Sequence, residues 1–443
     1  MIISIIIPTR ERAVYLRESV RTALQIPDRD IEIVVSDNAS TDGTRQVMEE
    51  IFDPRVKYVN TGRRVSMREN FEFGMRNSNG DYVIFFGDDD GILPRQFKFL
   101  RRILEDERPD VLRWNIPGFG WPNFDPLAKE HNNTGSVMFN KRKLFGGIHQ
   151  IDDNAQRNHL LVGDLNRIEL PPVIYHGCVS RDYFTRMATS DGTYFNGSSP
   201  DVYFCYRSIL EGGKFIHADH AFSLGGFSPA SIGAAGERQA HGTADNPQDE
   251  PAYRHIMEYK QDRITDIVPP FHFAHPASFF FILETVRMRF PGKVQVPDYL
   301  AWYNHILSED SPRRDAVEKV VKDYAEKSGT LSEFHQAESR QTTKHTPKTT
   351  KKCCLTLRMV FSEIKDTLRN YATRSPILPN SNRFRLSAEL ARENTILTAV
   401  HIYDEILADD YGHILDGEVT GKSVWKQTVK RSLAYPLRKQ RNL

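Results

Sequence analysis

Cysteine is scarce in this chain of 443 residues: only Cys178, Cys205, Cys353 and Cys354 occur. Their spacing is not that of a metal site and no secretory pattern argues for bridges, so a reducing cytoplasm is the expected compartment. Charge of one sign is missing too. Lys and Arg number 59 against 58 Asp and Glu, a net charge of +1, which removes the global field expected of a nucleic-acid binder. Long apolar runs are absent: nothing approaches the ~20 residues of a spanning helix, and the run 278–283 is far too short. Residues 2–7 are apolar, but no basic stretch precedes them and Pro8-Thr9-Arg10 follows at once. They read as a first strand and not as a signal peptide. A G-x-G-x-x-G turn after that strand is also lacking, which argues against an ordinary dinucleotide fold. No internal repeat is present.

What is there points to an α/β protein. The chain is longer than one hydrophobic core usually serves, so one large domain plus an appendage, or two domains, is expected. Strand-like runs at 2–7, 31–35, 56–59, 81–86 and 110–114 alternate with helix-like segments at 11–24, 42–51, 66–76 and 94–106. Such alternation implies βαβ units and a parallel sheet with right-handed crossovers. Residues 117–176 read as irregular and substrate-facing. Helices are expected at 181–187 and 201–211, a last strand at 215–217 and a Gly-rich flap at 225–242. Helical sequence follows from 251 to 328. Residues 341–352 have the polar, basic composition of a linker, and helices are expected at 355–371 and 387–408.

The chemistry centres on G-D-Y-V-I-F-F-G-D-D-D-G-I-L-P, residues 80–94. A short apolar strand ends in Gly87 and then three consecutive carboxylates, Asp88, Asp89 and Asp90. Carboxylates packed this closely repel, and a hard divalent cation such as Mg²⁺ or Mn²⁺ relieves the repulsion. Pro94 suits the first turn of the next helix. Two more polar clusters, Pro8-Thr9 and Ser36-Asp37-Asn38, fall at the ends of successive strands, where ligands bind in open α/β sheets.

Taken together, S-I-I-I-P-T-R-E-R, I-V-V-S-D-N-A-S-T-D-G-T and F-F-G-D-D-D resemble the family 2 glycosyltransferases. The resemblance implies an inverting enzyme with a GT-A fold, a Rossmann-like mixed sheet flanked by helices, here with a helical C-terminal extension. It implies a nucleotide-sugar donor, with UDP the first expectation, a Mn²⁺ or Mg²⁺ cofactor, and a glycan or lipid-linked acceptor. Thr9 and Glu11 would lie beside the nucleoside, Asp37 would accept from the base and Asp88 would approach the ribose. Arg68 resembles the basic residue near the diphosphate, and Asp89, with Asp90, would bind the metal. Gly87 stands where the family often has a first Asp. The general base matches Asp201 in S-S-P-D-V-Y-F, with Asp182, Asp191 and Glu211 as weaker candidates. On this reading the catalytic domain spans 1–227, a flap and helical extension 228–335, a linker 336–354 and a helical, basic region 355–443.

Further expectations are looser. His217 and His220 could add a metal ligand, though packing is the commoner role of a lone histidine. Trp114, Trp121 and Phe124 could stack on a sugar, and core packing is again the commoner role. The basic tail, with Lys430, Arg431, Arg438, Lys439 and Arg441, could touch an anionic membrane surface. Two other function classes fit less well. A nucleotidyltransferase would show a Gly-rich basic loop after the first strand, and a degenerate binding module would not need the intact acidic triplet.

Overall fold

The computed structural model describes residues 1–122, 135–231, 257–263, 276–309, 314–344, 382–387 and 394–441. Five strands lay the first half of the fold: β1 (Ile3–Thr9), β2 (Ile31–Asp37), β3 (Val56–Asn60), β4 (Tyr82–Phe85) and β6 (Val111–Trp114), with the two-residue β5 (Gly91–Ile92) after the acidic turn. Helices α1 (Ala13–Leu24), α2 (Thr44–Glu49), α3 (Met67–Arg76) and α4 (Phe97–Glu107) connect them. β1 is buried along almost its whole length, as its Ile-rich sequence requires of a strand covered on both faces. Leu16, Val20 and Ala23 of α1 are fully buried against that sheet. Each larger aliphatic side chain so buried contributes about 1.5–3 kcal/mol. The serine Ser66 starts α3 by accepting from the Glu69 amide, a cap worth ~1 kcal/mol.

The second half adds β7 (Gly118–Gly120), β8 (Ser136–Asn140), β9 (Ile148–Gln150), α5 (Asp153–Leu161), β10 (Gly177–Ser180), α6 (Arg181–Met187), α7 (Pro200–Glu211), β11 (Phe215–Ala218) and β12 (Ser223–Phe227). The main sheet has the order β3-β2-β1-β4-β10-β6-β11-β9. β1 to β4 run parallel, β10 is antiparallel to both β4 and β6, and β9 is antiparallel to β11. This is the mixed, helix-flanked sheet of the expected GT-A type. A smaller sheet, β13-β8-β7-β12-β5, stands beside the acidic turn, with β13 at Arg383–Ser387.

Helices α8 (Pro276–Arg289), α9 (Tyr299–Ser308), α10 (Arg314–Ser328) and α11 (Leu331–Lys344) build a separate apolar cluster with α7. The C-terminal helices α12 (Ile396–Leu407), α13 (Asp410–Leu415) and α14 (Gly421–Arg441) instead join the core formed by β1, β2 and α1. β13 pairs with β8 over five residues, from Arg383↔Asn140 to Ser387↔Ser136. Among the described residues the C-terminal region therefore has no core of its own.

Several expectations need correction. The stretch 117–176 is not irregular: it holds three short strands and α5. Strands of three residues carry no periodic signal, and the partner of β8 is remote in sequence. The strand at 215–218 is not the last, because β12 and β13 follow; β12 also takes 225–227 out of the expected flap. Pro94 lies in a turn before α4, which starts at Phe97. Ser387 ends a strand, and the described part of the expected helix 387–408 is α12. α11 runs to Lys344, into the expected linker. The helix expected at 355–371 lies outside the described residues, as do most of the flap and Phe124.

Candidate active site

The three polar clusters come together at the C-terminal edge of β1, β2 and β4. Thr9 and Asp37 are the last residues of β1 and β2, paired in register, and the acidic turn follows β4. All three aspartates are buried, each less than 5% exposed. Three carboxylates held this deep would repel strongly without compensation, and the structure treats each one differently.

Asp88 is neutralised. The Thr9 hydroxyl donates to its Oδ2 at 2.7 Å, and the Arg12 guanidinium donates to Oδ1 at 2.8 Å. Arg12 also donates to the Ala230 carbonyl. Desolvation alone would loosen its proton, but Asp88 and Asp89 more than offset that and hold it charged.

Asp90 is committed to the scaffold. Its Oδ2 accepts from the Gly87 amide at 2.9 Å and the Tyr175 hydroxyl at 2.8 Å, and lies 3.0 Å from His176 Nε2. Its Oδ1 accepts from the Gly226 amide at 2.7 Å. Burial pushes its carboxyl up, but His176 and these donors pull it below the ordinary carboxylate range. An acid with about four lone-pair sites so fully engaged ties the turn together.

Asp89 differs from both. The Ser228 hydroxyl donates to its Oδ2 at 2.6 Å, and no cationic side chain among the described residues forms an ion pair with it. Burial, and then the Asp90 charge, push its carboxyl up. It is the member of the triplet whose charge the protein leaves least balanced. Its backbone is pinned separately, since the Trp121 indole donates to the Asp89 carbonyl at 2.8 Å. Among the described residues no three His, Cys, Asp or Glu side chains stand close enough to hold a metal alone. Mg²⁺ sites commonly use one or two carboxylates plus substrate phosphates, and Asp89 fits that pattern.

Two glycines allow this packing. A Cβ at Gly87 would meet the Tyr175 hydroxyl oxygen at 1.9 Å and Asp90 Oδ2 at 2.3 Å. That accounts for glycine where an acid often stands in the resembled family. A Cβ at Gly91 would lie 2.5 Å from Val400 and 2.8 Å from Ile396, so α12 presses directly on the back of the turn. α12 also reaches the following turn, where Asp404 accepts from the Arg95 amide at 3.0 Å.

At the end of β2, Asp37 is 1% exposed. It accepts from the Tyr58 hydroxyl at 2.6 Å, the Asn60 amide group at 2.7 Å and the Ser40 amide at 3.0 Å, which leaves room for one further donor. Glu11 has a left-handed φ of 54°. Its carboxylate accepts from Thr41 N–H and Oγ1 and from the Asp42 amide, each at 3.0 Å, and pairs with Arg64. Glu11 thus fastens the 38–42 loop. Arg68 lies at the start of α3 in a bidentate pair with Asp262.

Asp201 opens α7 behind Pro200. It is partly exposed, and burial of its carboxyl pushes it above the ordinary range, opposed by the amides of Val202 and of Asp201 itself. Asp191 is held down to about 2 by the hydroxyls of Thr189 and Thr193, which makes it a poor base. Glu211 pairs with Arg207 at 2.7 Å. His220 has both ring nitrogens engaged, Nδ1 by the Phe145 amide and Nε2 by Gln96, and stacks on Tyr411 at 3.7 Å. His217 bonds Asp219. Neither histidine joins the triplet. Trp114 and Trp121 are buried with their N–H groups satisfied, so no face is left for a sugar. In the basic tail, Arg431 turns inward to the Ile406 carbonyl and Asp410, while Lys430 is exposed. The side chains of Arg438, Lys439 and Arg441 lie outside the described residues.

Sequence reasoning missed Arg12, Tyr175, His176 and Ser228. Arg12 sat inside the quoted T-R-E-R motif and had a signal. The other three come from segments with no motif, delivered by β10 and β12.

Comparisons with known proteins bear on the family and not on single residues. Over 94 residues the chain is 33% identical to a GalNAc(5)-diNAcBac-PP-undecaprenol beta-1,3-glucosyltransferase of Campylobacter jejuni, covering 20% of this chain and 30% of that protein. Over 167 residues it is 32% identical to the abequosyltransferase RfbV of Salmonella typhimurium, covering 33% of this chain and 50% of that protein. The chain thus spans half or less of these relatives. Among solved structures it is similar to Staphylococcus aureus TarS 1–349 in complex with UDP-GlcNAc, with a TM-score of 0.41, 15% identity, and 77% and 92% of the two chains covered. A likeness that loose bears no weight on ligands or residue roles. The description "Glycosyl transferase family 2" matches residues 4–161, a span that holds β1 to β4, Asp37 and the acidic turn, and over that span the chain is similar to this family.

Proposed function

We propose that the protein is a metal-dependent, inverting glycosyltransferase that moves a sugar from a nucleoside diphosphate, UDP first, to a hydroxyl of a glycan or lipid-linked acceptor. The observation that carries the reading is Asp89: a buried carboxylate at the ligand-binding edge of the sheet, with no ion-pair partner among the described residues. The activities named for the two relatives, glucosyl transfer to a polyprenyl-linked glycan and abequosyl transfer, support the donor and acceptor classes.

Each residue then has a task. Asp37 uses its remaining acceptor site for a ring N–H of the base. Asp88, held by Thr9 and Arg12, faces the ribose. Asp89 would hold Mn²⁺ or Mg²⁺, which supplies a Lewis acid for the charge on the leaving diphosphate. Asp201, raised by burial, takes the proton of the acceptor hydroxyl as its oxygen bonds to the anomeric carbon and the bond to the diphosphate oxygen breaks. No helix among the described residues is long and apolar enough to cross a membrane. A lipid-linked acceptor would therefore be met at a surface, with the exposed Lys430 side of α14 as the basic contact.

The test pairs donor release with binding. Incubation with several nucleotide sugars and Mn²⁺ should liberate nucleoside diphosphate from one of them and never pyrophosphate. Asp89→Asn should abolish the Mn²⁺-dependent part of nucleoside diphosphate binding while the protein stays folded. Undiminished calorimetric binding in that variant removes Asp89 from the metal role.

A further inference from the structure

Two arginines at the donor edge are each held by an acid from one short turn. Arg10, directly after Thr9, pairs with Glu258. Arg68 donates from Nε to Asp262 Oδ2 at 2.6 Å and from its second terminal nitrogen to Oδ1 at 3.1 Å. The Ser66 hydroxyl donates to the same Asp262 oxygen at 2.5 Å. The Asp262 side chain is fully buried and that of Arg68 is 4% exposed. Glu258 and Asp262 sit four residues apart on a turn closed by the bonds Gln261 N–H to Glu258 O and Asp262 N–H to Tyr259 O. Tyr259, 3% exposed, anchors the turn.

The placement of this acidic turn is informative. Ser66 and Arg68 lie at the N-terminus of α3, where an anion is favoured by the helix dipole and by a hydroxyl and guanidinium aimed at one point. Val65 is tied to Asn38, next to Asp37, by two bonds of 2.8 and 2.9 Å. Arg10 is tied through Thr9 to Asp88. Both arginines thus belong to segments bonded to the neighbourhood of Asp37 and of the acidic triplet. A bidentate fork suits phosphate oxygens as well as a carboxylate.

We infer that Asp262 and Glu258 are intramolecular stand-ins for the donor's diphosphate: the 257–263 turn fills an anion site built from Arg68, Ser66 and Arg10, and donor binding exchanges the carboxylates for phosphate oxygens. This rests on the donor reading above and deepens it. A buried guanidinium left without an anion is strongly unfavourable, so the two states are an ion-pair exchange and not a simple opening. The device keeps Arg68 oriented while no donor is present. It also sets a competition that lowers apparent affinity for any donor whose phosphates cannot reach both arginines.

Inorganic pyrophosphate and UDP, each with Mn²⁺, should be titrated into the full chain and into Asp262→Asn. The amide keeps the shape and removes the competing charge, so both ligands should bind about tenfold tighter to the variant. Unchanged or weaker pyrophosphate binding overturns the inference. Tighter pyrophosphate binding without any UDP binding to either protein leaves the anion site standing and rejects the nucleotide-sugar donor. A second measurement covers a variant that fails to fold. In the wild-type protein pyrophosphate should speed hydrogen exchange at the amides of Gln261 and Asp262, and unaltered exchange there rejects the exchange mechanism.

Discussion

Gly87→Ala is the most direct probe of how the acidic turn is built. The new methyl carbon would lie 1.9 Å from the Tyr175 hydroxyl oxygen and 2.3 Å from Asp90 Oδ2. Neither can simply swing away, because the Tyr175 hydroxyl donates to that same Asp90 oxygen at 2.8 Å and Asp90 also accepts from Gly226. Relief of the contact means breaking the Tyr175 bond, a hydrogen bond to a charged group worth about 1.5–3 kcal/mol. Overpacking adds about 1–3 kcal/mol. A total loss of roughly 2.5–6 kcal/mol is expected, read as a lowered urea midpoint at unchanged slope. Tyr175→Phe removes the closest atom. The double variant Gly87→Ala/Tyr175→Phe should therefore be less destabilised than the sum of the singles, with a coupling of about 1 kcal/mol or more. Nucleoside diphosphate binding should weaken with Gly87→Ala, since Asp89 is carried on the displaced turn. A Gly87→Ala protein within 0.5 kcal/mol of wild type, with normal binding, would refute the account of why glycine stands there.

The other predictions concern the base, the C-terminal contact and pH. Asp201→Asn should lower sugar transfer by about 10²–10⁴-fold and leave nucleoside diphosphate affinity unchanged; near-normal transfer would end its candidacy. Gly91→Ala should destabilise by about 1–3 kcal/mol through its collision with Val400 and Ile396, and adding Val400→Ala should restore part of the loss in urea melts. No rescue would mean that α12 does not set the back of the turn. Burial pushes His220 down to about 3, so the folded protein keeps it neutral while the unfolded chain protonates near 6.5. Its contribution is intact above pH 6.5 and is lost as pH falls below that value, about 2 kcal/mol by pH 5. Asp404, pushed up to about 7, acts with the opposite sign, since stability from its neutral form is lost as pH rises from about 4 to 7. The test is therefore a difference: between pH 7.5 and 5, wild type should lose about 2 kcal/mol relative to His220→Gln. Parallel profiles would contradict the buried neutral imidazole.

The sequence alone determined the parallel half of this protein. Its first strands are runs of β-branched residues long enough to declare themselves, each followed by a helix with an apolar face. A polar cluster at the end of a parallel strand lands on the ligand edge without further information. So Thr9, Asp37 and the acidic triplet could be placed together before any tertiary contact was seen. The tertiary structure alone decided how the three acids divide their work. That division depends on Arg12 reaching Asp88, on Tyr175, His176 and Gly226 saturating Asp90, and on Ser228 meeting Asp89. Apart from Arg12, those partners lie in or directly beside β10 and β12, strands of four and five residues whose pairing is set by distant neighbours and not by local pattern. The same holds for α12, which reaches the turn from some 300 residues further along the chain, and for Asp262, which meets Arg68 across 194 residues. A local pattern encodes whether a segment is strand or helix, because backbone preference and burial period act over a few residues. Which buried charge meets which is fixed only when the chain closes on itself, since desolvation and ion pairing act through space.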